Sequence, residues 1–323
     1  MIGRVNTGGG GSGGTLTVTA PANVTVTVSK DGKTKTKNSG TSGVVVFKGL
    51  SSGTWTVTIT GDGKTAQKNV VVTTDYSTAI SFSTIPEFTY TGDFEIVNDS
   101  DEPITVSQDN WKIRFLTSGT LTFTNLNGAE GGIDVFLVGG GAGGNYNYRG
   151  GAGGGSGYTS TTQAATIQVG VEYDIVIGAG GVGAKTAGGR AGGVTSAFGS
   201  IANGGAALSS NGVYGGDGGS GGGSGTLSKD KDGAYSKAGV GGTDGANGQG
   251  THPGTGQGTT TREFGESGGT LYATGGEGAA ALNITPDPVS QNTGDGGNGA
   301  GGSTESTSGG SGIVIIRNAR GAA

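Results

Sequence analysis

The sequence has no cysteine, one methionine, one histidine (His252) and six prolines in 323 residues. Without cysteine there is no disulfide framework and no thiolate metal centre. With one histidine, a Ser-His-Asp triad has a single candidate base. Charged residues make up 13% and the net charge is −5. That is too little clustered Lys and Arg for a nucleic-acid footprint. No run of about 18 apolar residues is present, so no membrane-spanning helix is expected. The start, MIGRVNTGGGGSGG, lacks the apolar stretch of a secretory signal.

What the chain has in excess is glycine, 77 residues, unevenly placed. Residues 15–130 hold 10, whereas residues 131–323 hold 60. Glycine at that density excludes long helices, since each costs roughly 1 kcal/mol against alanine in a helix interior. The fold class expected is therefore all-β, with a conventional front and an unusual back. The divisions expected are 1–14 as a Gly-rich attachment segment, 15–83 as a small β-sandwich, 84–110 as a linker, and 111–323 as a glycine-rich domain.

The front reads as strands with turn signals. Thr15–Ala20, Val24–Val28, Lys33–Lys37, Gly43–Leu50, Gly53–Thr60, Val70–Val72 and Ile80–Phe82 are short apolar or alternating runs. Asp31-Gly32 is a hairpin turn signal. The lysines of Lys33–Lys37 blunt an edge strand. Trp55, Val57 and Ile59 share one face and belong in the core, with Phe47 and Leu50 close by.

The back is bracketed by strands at Trp111–Phe115, Thr120–Thr124, Ile133–Val138, Ala165–Val169, Tyr173–Ile177 and Ile313–Arg317. An apolar strand near the C-terminus has to be paired, so the glycines are an insertion in a sheet system. Collagen is excluded by six prolines and irregular spacing. Disorder and a bundle of polyproline-II-type helices remain, and the bundle is the better reading. Such helices have three residues per turn and point N–H and C=O outward to neighbours. They approach closely only where no Cβ intervenes. The runs 215–225, 239–250, 265–269, 275–278 and 294–302 are expected to cross it.

The motifs that resemble chemistry are weak. Gly139–Gly144 and Gly178–Gly183 both match G-x-G-x-x-G after a strand, but no helix can follow and no acidic residue stands at the ribose position. Gly178–Thr186 misses a P-loop by one inserted alanine. Asp230-Lys-Asp232-Gly233 lacks the remaining ligands of a calcium loop. No catalytic, cofactor or metal residues are assigned, and the protein is expected not to be an enzyme. A glycosidase would need paired carboxylates, and Glu263, Glu266 and Glu277 form no such pair in sequence. The spacer loops carry Tyr146, Tyr148, Arg149, Tyr235, His252, Arg262 and Phe264, a composition suited to adaptable binding surfaces. These are the candidate receptor-binding residues.

The stretch "GVVVFKGLSSGTWTVTI" at 43–59 resembles the prealbumin-like or Ig-like modules of bacterial and phage surface proteins. The runs "IDVFLVGGGAGG", "GGAGGGSGYTS", "YDIVIGAGG" and "GGSGIVIIR" resemble the glycine-rich domain of phage and prophage tail-fibre and tail-tip proteins. A similar order occurs in the glycine-rich ectodomain of anaplastic-lymphoma-kinase-type receptors. The resemblance implies a jelly-roll-like β-sandwich with inserted polyglycine-II helices on a virion surface. It implies loops that bind a host glycan or surface protein. The head Met1–Thr7 with its tether Gly8–Gly14 reads either as a disordered terminus or as a peg that attaches to other virion proteins. A trimer is the usual fibre assembly, although no heptad repeat is present. A decoration protein without a receptor is the competing reading. No cofactor, nucleic acid or membrane insertion is expected.

Overall fold

The computed structural model describes residues 13–61, 64–104, 110–127, 129–186, 188–206, 208, 214–225, 239–242, 246–249, 251–254, 261–279, 285–302 and 305–320. Met1–Thr7 with most of its tether, Tyr235 and the Asp230–Gly233 motif lie outside the described residues. The protein is all-β, in two compact units, Met1–Thr84 and Ile85–Ala323.

The first unit contains β1 (Gly14–Thr19), β2 (Thr25–Lys30), β3 (Lys33–Asn38), β4 (Val44–Leu50), β5 (Gly53–Gly61), β6 (Lys64–Val72) and β7 (Tyr76–Ala79). They form two sheets, β4-β1-β7 and β3-β2-β5-β6. Between them lie Leu16, Val18, Val26, Val28, Phe47, Leu50, Trp55, Val57 and Ile59, the inward set of alternating strands. Asp31 and Gly32 both take positive φ, 49° and 74°, as a two-residue hairpin of this twist requires. On edge strand β3, Lys35 and Lys37 donate to the Lys48 and Val46 carbonyls of edge strand β4, at 2.5 and 2.7 Å. The last strand is 76–79, earlier than expected. It runs parallel to β1, and Ile80 enters the core just beyond it.

The second unit contains β8 (Glu87–Tyr90), β9 (Phe94–Asn98), β10 (Trp111–Phe115), β11 (Gly119–Asn125), β12 (Ile133–Val138), β13 (Thr159–Ala165), β14 (Glu172–Ile175), β15 (Thr195–Ala197), β16 (Ser200–Ala202) and β17 (Ile313–Asn318). The reading of 84–110 as a linker needs correction. β8 pairs with β11 and β9 with β10, and Phe88 and Ile96 pack on the core. Their short alternations are masked in sequence by surrounding acidic residues. A five-stranded sheet runs β13-β12-β17-β10-β9 and faces the three-stranded sheet β14-β11-β8. Strand alternation sends Trp111, Ile113, Phe115, Val135, Leu137, Val314 and Ile316 into the core shared with Leu121 and Phe123. The same alternation sends Lys112, Arg114, Asp134, Phe136, Ile315 and Arg317 to the opposite face. There Phe136 and Ile315 pack with Phe264, Tyr272 and Ala273.

The Gly-rich chain leaves β12 at Val138 and returns into β17 at Ile313, and between them it builds a hydrogen-bonded bundle. Segment 139–145 shows its logic. The amides of Gly139, Ala142 and Asn145 donate to the carbonyls of Tyr158, Gly155 and Ala152. Those of Gly140 and Gly143 donate to Gly193 and Arg190, and those of Gly141 and Gly144 to Gly310 and Thr307. Its carbonyls accept from Gly181 and Ala184, from Gly297 and Ala300, and from Gly205. Partners thus repeat every third residue, the period of a three-residue-per-turn helix. All seven amides of the segment and most of its carbonyls find a neighbour, as burial demands. A Cβ on Gly141 would lie 1.9 Å from the Asp295 oxygen, on Gly218 2.1 Å from that of Ser156, and on Gly297 2.2 Å from that of Thr307.

Two expectations about the bundle change. It starts earlier than the runs singled out in sequence, because 139–145, 151–158, 178–184 and 189–194 belong to it. The run 265–269 does not. It belongs to a turn with Gly265 at φ 71°, beside the face of the five-stranded sheet opposite the main core.

Candidate functional site

The bundle has a sheet end and a far end, and the hydrogen-bond register says which loops lie at each. Gly139 pairs with Tyr158 beside the sheet, while Asn145 pairs with Ala152 and Ala300 two turns away. Ala279 donates to Gly151, and Gly278 to Thr251. The far end therefore gathers the turn 145–151, the turn around His252 and the end of 294–302. At about 3.1 Å per residue, residue 145 stands roughly 19 Å beyond the sheet.

Four candidate residues lie at this end. Tyr148, Arg149 and His252 are exposed, and Tyr146 is half-buried. The Tyr146 hydroxyl donates to the Gly302 carbonyl, tying two neighbouring turns together. The Gly302 amide in turn donates to the Tyr148 carbonyl, so the turn is held by its backbone while the Tyr148 ring stays 67% exposed.

Arg262 and Phe264 are not with them. Arg262 precedes, and Phe264 lies within, a short 3-10 turn, Glu263–Gly265, at the sheet end. Phe264 is a correction to the receptor-binding set: it is 5% exposed and packs on Phe136. The Arg317 guanidinium stacks 4.1 Å over its ring. Phe264 sits in the turn at a φ of 55°, with its ring against the sheet. Arg262 is half-buried and donates to the Gly269 carbonyl at 3.1 Å, closing the same turn.

That turn covers a buried charge cluster that sequence reasoning missed. Lys112 Nζ lies 2.7 Å from Asp101 Oδ1, and 2.9 and 3.1 Å from the two oxygens of Glu263. The side chains of Lys112 and Glu263 are each 4% exposed. Arg317 Nε meets Asp134 at 3.2 Å, and its terminal nitrogen meets Glu266 at 2.5 Å. Arg320 holds Asp99 by two bonds of 2.8 Å. Lys112, Glu263, Glu266, Arg317 and Arg320 line a cavity of about 260 Å³. The available signal was period two. Lys112 and Arg114 alternate with core residues on β10, while Asp134 and Arg317 interrupt strands that otherwise read as wholly apolar.

Burial pushes the Glu263 carboxyl above the usual carboxylate range, with Lys112 opposing. The hydrogen bond from Arg317 holds Glu266 below it. The two signs differ in consequence. A lowered folded value means stability that is present above the unfolded value and lost as pH falls through the folded one. Glu266 therefore supports the fold at neutral pH, and Glu263 weighs against it there. Glu266→Gln should lower Tm at about pH 7 and have no effect near about pH 2, where both proteins carry a neutral group. Thermal melts across that range check it; a constant Tm difference would refute the assignment.

The geometry of the glycine-rich unit agrees with comparison to known families. The model of the glycine-rich domain matches residues 116–319. The chain belongs to the glycine-rich domain family. The match covers β11 to β17 and the whole inserted bundle, and leaves out the first unit, β8, β9 and β10. No curated protein matches the chain.

Proposed function

We propose that this glycine-rich domain protein is a non-enzymatic attachment protein of a virion surface, of the tail-fibre or tail-tip type, whose far-end loops bind a host-cell glycan or surface protein. The observation that carries the reading is the bundle itself. Its backbone bonds are spent between neighbouring segments, and it sets Tyr148, Arg149 and His252 together at the end away from the sheet. Aromatic faces with amide and guanidinium donors suit sugars, and a rigid mount lowers the ordering cost of binding. The proposed partners are the receptor at this end and other virion proteins at the N-terminus.

The test is adsorption of the labelled full chain to cells of the host. The triple variant Tyr148→Ser, Arg149→Ser, His252→Ser should keep its melting temperature, since these side chains are exposed. It should bind at least tenfold more weakly, the scale of one lost aromatic anchor. Unchanged adsorption would move the receptor site elsewhere. No adsorption by the unaltered chain would favour a decoration protein without a receptor.

A further inference from the structure

The Lys112 cluster is more than an ion-pair network. It sets an amine 2.7 Å from a carboxyl oxygen, with a second, more deeply buried carboxyl touching the amine. Asp101, at φ 60° just past the end of β9, points Oδ1 at Nζ across 2.7 Å, and Thr270 Oγ1 donates to its other oxygen at 3.2 Å. Asp101 therefore offers its carboxyl in a fixed orientation. Glu263 approaches Nζ from the covering turn, against the Phe264 ring that lines the same cavity. Both Glu263 oxygens lie within 3.1 Å of Nζ, yet Oε1 makes no hydrogen bond.

We propose that Lys112 and Asp101 condense into an intramolecular amide, with Glu263 carrying the protons. Nζ gives up a proton to Glu263 and attacks Cγ of Asp101 as the free amine. The new C–N bond forms as one C–O bond of Asp101 breaks. The ammonium supplies two protons in all, both of which reach the departing oxygen and leave as water, and Glu263 is restored. One positive and one negative charge disappear together, so no oxidant or activating co-reactant is needed. Holding reactive groups together replaces the bimolecular encounter that makes amide formation slow in water. The part-exposed Asp101 lets the water escape, its side chain being 32% exposed. Burial raises the Glu263 carboxyl, which suits a group that must hold a proton beside an amine. Once the amide forms, Glu263 loses its ion-pair partner, and a raised value lets it take up a proton from solvent and stay buried as the neutral acid. The covalent tie would fasten β10 to the segment just after β9, at an edge of the five-stranded sheet.

Intact mass spectrometry of the folded full chain tests this. The mass should fall short of the sequence mass by one water. Trypsin should fail to cut after Lys112, so that residues 69–114 appear as one peptide lacking that water in place of 69–112. Fragmentation should place the link between Asp101 and Lys112. Glu263→Gln, close to isosteric, should melt cooperatively, keep its full mass and be cut after Lys112. A folded chain of full mass overturns the proposal, as does a link that maps to Glu263. A Glu263→Gln chain that cross-links as fully as the unaltered one overturns the role of Glu263.

Discussion

Gly141→Val should abolish the soluble glycine-rich unit. Gly141 lies in the segment enclosed by 151–158, 178–184, 189–194, 203–206, 294–302 and 305–312. A Cβ there meets the Asp295 oxygen at 1.9 Å and the Gly294 oxygen at 2.8 Å, both backbone, so no side chain can swing aside. Segment 294–302 would have to withdraw. That breaks the bonds from Gly297 to Ala142 and from Ala300 to Asn145. Each buried group left unpaired costs about 1–3 kcal/mol. A few of them approach the 5–15 kcal/mol that is about the whole stability of a domain. Gly131→Ala is the control: Gly131 is exposed and nothing lies within 4 Å of its Cβ position, so a change within about 0.5 kcal/mol is expected. Hydrogen exchange probes the same bonds without mutation. Amides of 139–145 and 151–158 should be protected in the unaltered protein and released in Gly141→Val. Random-coil exchange in the unaltered protein would mean that the bundle does not form.

The all-β class was legible because glycine content and short alternating strands are local signals. Trp55, Val57 and Ile59 on one face needed only period two. The bundle was legible in kind but not in extent. Runs such as 139–144 follow strands directly, so they read as G-x-G-x-x-G matches, whereas their partners at Gly193, Gly310 and Gly155 lie outside the run in sequence. Gly265–Gly269 failed for the converse reason. A glycine run is needed equally for close packing and for a turn with positive φ, and composition does not separate the two. Phe264 was misplaced because an aromatic among polar residues looks like a loop anchor. Only the sheet above it, with Phe136 and Arg317 pointing down, makes it core. The Lys112, Asp101 and Glu263 cluster was invisible because Glu263 is 151 positions from Lys112. A lysine alternating with core residues on β10 was the one hint, and an edge or solvent-facing strand gives the same pattern.

Arg317→Met should be the most damaging change to a side chain in the charge cluster. Asp134 is 2% exposed at its side chain and loses its cation, while the Phe264 ring loses the guanidinium stacked upon it. Breaking a buried pair by removing one partner costs about 3–5 kcal/mol, most of it from the charge left behind. Glu266 adds little to the loss, being exposed and able to turn to water. The remedy follows from what Asp134 still does. Its Oδ1 accepts from the Ala164 amide at 3.1 Å, a bond that a neutral amide oxygen can also accept. Asp134→Asn in the Arg317→Met background should therefore recover most of the lost stability, because no charge then remains buried. Asp134→Leu in the same background should recover less, since the Ala164 amide would lose its partner. Denaturant unfolding followed through Trp111, whose neighbours Ile113 and Ile316 share its core, measures all three. If Arg317→Met alone costs under about 1 kcal/mol, the pair is hydrated and behaves as a surface ion pair does, and Asp134 carries no buried charge that needs a partner.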